Sequence, residues 1–254
     1  HLPFSNLIEI VKVFDNLNYP YYNKGKVHRC HLVEEWLNIY QISQKYKSHI
    51  GFSKGVKNSF EIISQDEKFK YKKWLIPSDV YPYYSNTLSK TFTPIAYYET
   101  LMDNDIPFYY QPNIADVHII HDADVILITL PLKPLSINGN DNGFKHLKSL
   151  VQSNPNKTFI FDCVYLNPCK NNITENIINS IDNISYLIEL YDLGNVFLLT
   201  SLSKSWSMPN IMGITFIPEK FIFLREKFKS IIIEEDKLKL AYLALNRYIL
   251  IPSF

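Results

Sequence analysis

The sequence has 254 residues, 46% of them hydrophobic, which is enough for one large core or for a large domain and part of a second. Its 26 lysines and arginines nearly balance its 25 aspartates and glutamates, leaving a net charge of +1. A chain so close to neutrality has no basic field to attract nucleic acid or an anionic membrane surface. Composition therefore argues against both of these partners.

Three cysteines, Cys30, Cys163 and Cys169, are too few and too widely spaced for a disulfide framework or a zinc pair, so we expect reduced packing residues. The longest apolar runs, such as residues 125–132, are too short for membrane spans and indicate buried strands. With no secretory signal recognisable, the expected location is the cytoplasm. The first residue is not Met and the sequence stops just after an apolar run, which suggests an excerpt of a longer protein or a truncated product.

In the first half of the chain, apolar periodicity predicts alternating helices and strands. The predicted helices are Val27 to Tyr46, Gly55 to Ile63 and Tyr83 to Thr91. The predicted strands are Ile50 to Phe52, Lys73 to Ile76 and Ile95 to Tyr98.

The second half continues the alternation. Strands are predicted at 124–130, 158–162 and 195–200, with a helix at 143–151 and mostly helix from Lys220 onward. The strands are continuously apolar rather than alternating, which is typical of a parallel sheet covered by helices on both faces. We therefore predict an α/β fold with three layers (α/β/α) and a mostly parallel sheet. Ligands of such sheets bind beyond the carboxyl ends of the strands.

One lysine, Lys204, follows the last of these strands directly, in the stretch Ser201-Leu202-Ser203-Lys204. A lysine held at a strand exit can attack a carbonyl if its pKa is lowered, and the flanking serine hydroxyls can donate to a phosphate. The alternative is a solvated loop lysine.

A carboxylate and a phenol end another strand: Asp162 is its last residue, and Tyr165 follows three residues later. A buried carboxylate can keep a pyridine nitrogen protonated, and a tyrosine can hydrogen-bond a ring oxygen. The alternative is a strand-end aspartate that caps a turn and a tyrosine in the core.

Taken together, these stretches resemble the class I/II aminotransferases, pyridoxal-phosphate (PLP) dependent enzymes of fold type I. Ser201 to Gly213 is similar to their lysine signature, and Asp162 with Tyr165 to their pair of ring contacts. Further matches lie at Gly55-Val56-Lys57, which resembles the phosphate loop, at Tyr81, which corresponds to the tyrosine stacked on the ring, and at Tyr19, which corresponds to a tyrosine lent to the partner subunit's phosphate site.

The resemblance implies a cofactor, a reaction and an assembly. Lys204 would carry PLP as an internal aldimine and then move protons in the transamination of an amino acid or related amine. Ser201, Ser203 and the Gly55 loop would hold the phosphate. The protein would be a homodimer, with residues 1–45 in the small domain or dimer arm and residues 46–254 in the PLP-binding major domain. Most of the C-terminal small domain would be absent.

The sequence departs from the family at three positions. Met212 stands where an arginine usually grips the phosphate, Lys133 where an asparagine contacts the ring oxygen, and Lys57 where a Ser or Thr contacts the phosphate. Because a phosphate short of positive charge is poorly held, we predict that the Lys57 ammonium reaches a phosphate oxygen.

Two alternatives stay open at this point. Other PLP chemistry on the same fold, such as that of a lyase, decarboxylase or synthase, differs in substrate contacts that are not recognisable in the sequence. A non-catalytic binding or regulatory protein with a PLP-enzyme fold would explain Met212 and Lys133, but it gives no chemical reason to keep Lys204, Asp162 and Tyr165 together.

Overall fold

A computed structural model describes residues 28–102, 110–112, 117–130, 142–164, 184–205 and 211–245. Its helices are α1 (Arg29–Ile39), α2 (Val56–Ser64), α3 (Pro82–Lys90), α4 (Val117–Asp122), α5 (Asn142–Ser153), α6 (184–191), α7 (Leu202–Ser205), α8 (Leu224–Lys229) and α9 (Glu235–Leu245). Its strands are β1 (Ile50–Ser53), β2 (Trp74–Pro77), β3 (Ile95–Tyr98), β4 (Thr100–Met102), β5 (Tyr110–Pro112), β6 (Val125–Thr129), β7 (Thr158–Asp162), β8 (Val196–Ser201) and β9 (Gly213–Phe216). Short 3-10 helices lie at Gln44–His49 and Glu219–Phe221.

Seven strands form the main sheet, in the order β1-β9-β8-β7-β6-β2-β3. The strands from β8 to β3 are parallel to one another, and β9 runs antiparallel to both of its neighbours, β8 and β1. Six strands therefore point the same way and one is reversed, which confirms the predicted, mostly parallel sheet. The strands β4 and β5 form a separate antiparallel pair.

Successive residues of the strands face opposite sides of this sheet. On β6, Val125 and Leu127 belong to the apolar cluster under α2, α3 and α8, whereas Ile126 and Ile128 belong to the cluster under α1, α5, α6 and α9. Both clusters are almost free of solvent, which explains why the strands are apolar throughout rather than at alternate positions. The predicted three layers are confirmed.

The first predicted helix was too long, because α1 ends at Ile39 rather than at Tyr46. Gln41 takes a left-handed conformation with φ of 53°, and the Ser43 hydroxyl then accepts a hydrogen bond from the Lys45 N–H at 3.4 Å. These two residues end one helix and start a separate 3-10 turn, an interruption that the apolar periodicity does not reveal.

The apolar pattern of the sequence also does not reveal β9, α4 or the β4–β5 pair. The four residues of β9 are buried between β8 and β1, so its pairing with two strands stabilises it more than any local pattern does. The short helix α4 contains His118 and His121. Within the described residues, no helix has the length and apolarity needed to cross a membrane.

Candidate functional site

Four strand ends meet at one edge of the sheet. Asp162 ends β7 and Ser201 ends the neighbouring β8, while Ser53 ends β1. Gly213, the first residue of the reversed strand β9, pairs with both Ser201 and Ser53. Because β9 runs the other way, its amino end stands between the carboxyl ends of its neighbours. The topology thus brings together two segments that the sequence analysis had matched to cofactor contacts.

The Asp162 carboxylate is buried, and each of its oxygens accepts one hydrogen bond. One of its oxygens accepts a hydrogen bond from the Tyr84 hydroxyl, and the other accepts one from the Val164 N–H at 3.0 Å. Burial raises the pKa of Asp162, and the two donors act in the opposite direction because they stabilise the charged form. Burial removes the water that would hydrate the charged carboxylate. A cation next to it, such as a protonated pyridine nitrogen, would offset this loss.

Tyr84, which holds Asp162, was not singled out by the sequence analysis. It lies in the first turn of α3, which begins at Pro82, and its ring packs edge-on against Phe60 with 4.6 Å between ring centres. Tyr81 precedes the helix, lies 6.3 Å from the Tyr84 ring and is 54% exposed. The signal was present as the last tyrosine of the Tyr-Pro-Tyr-Tyr run at residues 81–84. Tyr81 itself stands beside the carboxylate's partner with much of its surface exposed.

Gly55 begins the second half of the site. It precedes α2 with φ of 153° and ψ of 176°, a conformation that side-chain-bearing residues rarely adopt. The first N–H groups of α2, from Val56 and Lys57 onward, have no partner within the helix and favour an anion. The Ser203 hydroxyl oxygen lies only 3.7 Å from the place where a Cβ on Gly55 would stand. Two predicted phosphate contacts, the Gly55 loop and the Ser201–Ser203 turn, therefore face each other.

The turn after β8 is held by its own serines. The Ser203 N–H donates to the Ser201 hydroxyl oxygen at 3.2 Å, and the Leu202 N–H donates to the Met212 carbonyl at 3.1 Å. These bonds tie the residues on either side of the lysine-bearing segment to the sheet. The main chain of Lys204 lies in α7, directly after β8, at the same edge as Asp162.

Lys57 connects the two halves of the site. Its ammonium donates to the Tyr81 hydroxyl at 2.9 Å and lies 4.8 Å from the centre of the Tyr81 ring and 5.2 Å from that of Tyr83. The cation therefore stands at the rim between the helix start that would bind a phosphate and the aromatic side of the site. Its predicted contact with a phosphate oxygen stays a prediction.

Met212, the position of the expected arginine, has no exposed surface and belongs to the apolar core. It contributes its carbonyl to the turn, as described above, while its side chain packs among other apolar groups. The sequence therefore supplies no cation at this position. An arginine at this position would have its charged guanidinium buried among the apolar side chains that now surround Met212.

Several positions predicted from the sequence lie outside the described residues. These are Tyr165, Lys133 and Tyr19, together with the side chain of Lys204. Their contacts with a cofactor therefore remain predictions.

Comparison with known protein families finds no match for this chain, and neither does comparison with curated protein sequences. Solved structures do match. A PLP-bound C-S lyase from Staphylococcus hominis superimposes with a TM-score of 0.68 at 14% identity, covering 96% of this chain and 60% of that one. Cystalysin from Treponema denticola, whose structure contains pyridoxal 5'-phosphate, gives 0.69 at 13%, covering 95% and 61%. The histidinol-phosphate aminotransferase from Clostridium acetobutylicum gives 0.58 at 17%, covering 96% and 64%.

This chain thus spans about 60% of the length of the lyase and of cystalysin. At identities of 13–17%, the likeness concerns the fold and not the reaction. A lyase and an aminotransferase both superimpose on this chain, as does an L-threonine-O-3-phosphate decarboxylase from Porphyromonas gingivalis with a TM-score of 0.64. The fold of this chain is that of the PLP-dependent enzymes of fold type I.

Proposed function

We propose that this protein is a PLP-dependent enzyme that carries its cofactor on Lys204 and transfers the amino group of an amino acid or related amine. One observation supports this proposal above the others. The buried Asp162 carboxylate ends β7, and the Ser201–Lys204 turn follows the adjacent strand β8. Gly55 faces that turn from the other side. This arrangement supports a Lys204 amine held between a carboxylate and a loop that would bind an anion.

The described residues fit PLP at both of its charged ends. A carboxylate that burial makes reluctant to ionise is matched to a cationic ring nitrogen, because pairing offsets the lost hydration. The helix start at Gly55, with the hydroxyls of Ser201 and Ser203 nearby, offers neutral donors to a phosphate. A Cβ on Gly55 would point toward the Ser203 hydroxyl, so glycine keeps this cradle open.

Bound PLP would supply an electron sink for the negative charge that develops on the substrate carbon next to the amine. Asp162 would accept the hydrogen bond of the ring N–H and keep that proton in place, and Tyr84 would orient Asp162. The Lys204 amine would move the proton at the substrate carbon. Tyr81 would cover one face of the ring, and the resemblance assigns Tyr165 and Lys133 to the ring oxygen and Tyr19 to the partner subunit's phosphate site.

Borohydride reduction of the protein with PLP, followed by peptide mass spectrometry, tests this assignment. We expect a phosphopyridoxyl group on Lys204 and its absence from the Lys204→Ala variant. The matched control is Lys57→Met, which removes another lysine at the same site but should still be labelled on Lys204. Labelling of another lysine, or none at saturating PLP, would contradict the proposal.

The reaction class needs its own experiment, because lyases and decarboxylases share this fold. We propose transamination. Incubation with amino acids and a 2-oxo acid acceptor should yield a new amino acid from the acceptor. Release of ammonia together with a 2-oxo acid in the absence of an acceptor would instead indicate elimination, and release of CO2 would indicate decarboxylation. A protein that is labelled on Lys204 but turns over none of these substrates would favour a binding role.

The resemblance further suggests a homodimer located in the cytoplasm. Cys30 and Cys163 are both free, which suits a reducing compartment. Light scattering of the purified protein should give twice the mass of the chain. A monomer that still binds PLP at full affinity would contradict the dimer and the role of Tyr19.

A further inference from the structure

Three buried hydroxyls lie beneath the Gly55 loop. They belong to Ser53 at the end of β1, Ser59 in α2 and Thr215 in β9, and none has any exposed surface. The Ser53 and Ser59 oxygens lie 2.7 Å apart, and Thr215 donates to Ser59 at 2.8 Å. Three separate elements are thus joined by one buried row of hydroxyls.

This row ends on the main chain of Gly55. The Ser53 hydroxyl donates to the Gly55 carbonyl at 3.0 Å, and the Gly55 N–H donates back to the Ser53 oxygen at 3.2 Å. The Ser59 N–H reaches the same carbonyl at 3.0 Å. Both polar groups of Gly55 are therefore engaged, in a residue whose φ of 153° needs support from its surroundings.

Each hydroxyl has one proton, and this fixes the direction of the row. Ser53 gives its proton to the Gly55 carbonyl, so Ser59 must be the donor in the contact between the two serines. Ser59 then accepts from Thr215. All the hydrogen bonds therefore point the same way: Thr215 donates to Ser59, Ser59 to Ser53, and Ser53 to the Gly55 carbonyl. Every hydroxyl proton in the row has an acceptor.

We propose that Ser53, Ser59 and Thr215 are positioning residues that orient the Gly55 loop toward the cofactor phosphate. The inference rests on the proposed function, because it presumes that the loop binds PLP. The row fixes the Gly55 peptide before any ligand arrives, so the N–H groups that start α2 are already aimed when the phosphate binds. Binding then requires less ordering of the loop.

The arrangement predicts a graded response. Ser53→Ala removes both side-chain contacts with Gly55, Ser59→Ala interrupts the row one step away, and Thr215→Val removes only the outermost donor with little change of shape. We expect PLP affinity to fall about tenfold, about fivefold and about twofold, respectively, the range for losing one or a few hydrogen bonds. Thr215→Ser keeps a hydroxyl and should restore the affinity.

Pyridoxal, which lacks the phosphate, separates loop positioning from general damage. Its affinity, measured by absorbance titration, should be the same in all four variants and the wild type. The control is Thr93→Val, which removes a buried hydroxyl that donates to the Lys70 carbonyl at 2.6 Å, away from the loop. It should lower the melting temperature without changing either affinity. Parallel losses of PLP and pyridoxal affinity, or no loss of either, would overturn the proposal.

Hydrogen exchange of the unliganded protein keeps the two proposals distinguishable. The Gly55 amide should exchange faster in Ser53→Ala and Ser59→Ala than in the wild type. In Thr93→Val its exchange rate should equal that of the wild type. If the wild type binds no PLP, the proposed function fails, and with it the role toward phosphate. Unchanged exchange at Gly55 in a protein that does bind PLP would overturn the positioning role alone.

Discussion

The two ends of the candidate site are built on different principles. The ring end rests on one buried titratable group, Asp162, held by Tyr84 and by a main-chain N–H. The phosphate end offers neutral hydroxyls and amides around Gly55, with Lys57 as a cation at the rim. Burial sets the pKa of Asp162 at the ring end. The phosphate end depends instead on the shape of the Gly55 loop and on how closely a ligand can approach its main chain. Substitutions that change charge should therefore matter most at the ring end, and substitutions that change volume should matter most at the phosphate end.

The largest effect is expected at the ring end. Asp162→Asn keeps two polar atoms for Tyr84 and Val164, since a tyrosine hydroxyl can also accept a hydrogen bond. It removes the charge that would stabilise a protonated ring nitrogen. Turnover should fall on the order of 100- to 1000-fold, as for the loss of one preorganised electrostatic contact, while labelling of Lys204 by PLP persists. Near-normal turnover of an identified substrate would show that Asp162 has another role.

The next largest effect is expected where β9 approaches the phosphate end. A Cβ on Gly213 would stand 2.4 Å from the Ser53 hydroxyl oxygen, 2.7 Å from the Gly55 Cα and 2.8 Å from the Gly55 nitrogen. The Gly213→Ala variant should lose about 1–3 kcal/mol of unfolding free energy through overpacking. It should also bind PLP more weakly, because the displaced atoms belong to Ser53 and to the Gly55 loop, which would hold the phosphate.

Gly194→Ala is the matched control for that experiment. Gly194 has φ of 86° and nothing within 4 Å of its potential Cβ, so alanine adds backbone strain of about 1–2 kcal/mol without a clash. Urea unfolding should show comparable destabilisation in both variants, and PLP titration should show weaker binding in Gly213→Ala alone. Equal PLP affinities in the two variants would mean that the position of β9 does not affect cofactor binding.

A smaller effect is expected from the rim cation. If the Lys57 ammonium leaves Tyr81 for a phosphate oxygen, Lys57→Met should weaken PLP binding about tenfold, the effect of one charge-assisted contact. Lys54→Met removes a neighbouring exposed lysine and should leave the affinity unchanged. Equal affinities for the wild type and Lys57→Met would mean that this cation stays with the tyrosines. Met212→Arg is not expected to rescue the variant, because Met212 lies in the core.

The smallest effect concerns pH. Burial raises the pKa of Asp162 in the folded protein, so its contribution to apo-protein stability is fully present below the ordinary aspartate pKa and is lost as pH rises through the folded pKa. Asp162→Asn should therefore unfold at a higher temperature than the wild type at neutral pH, with the difference shrinking in acid. Tyr84→Phe removes a hydrogen bond that lowers the pKa of Asp162, so this pKa should rise further. The stability contributed by the protonated Asp162 should then be lost over a pH range that extends higher than in the wild type. A stability difference between wild type and Asp162→Asn that does not vary with pH would contradict this account.

The sequence was sufficient to predict the central strands and the position of Asp162, because a continuously apolar strand with a polar residue at its end has a local signature. It was not sufficient to find Tyr84 as the partner of Asp162, since that contact joins residues 78 positions apart in the chain. Gly213 lay within the matched stretch, but its role emerges only when β9 is seen between β8 and β1. The hydroxyl row was missed for the same reason, because its members come from three separate elements.

The reversed strand β9 also has a consequence for how the protein reaches its native state. Ser53 pairs with Gly213 although most of the described chain lies between them, so this contact is among the most non-local in the sheet. The Gly55 loop rests on both residues and is completed only when β9 inserts between β8 and β1. During synthesis, a nascent chain that has not yet released β9 from the ribosome would lack a finished phosphate cradle. The cofactor would then select chains that have already folded rather than guide their early folding.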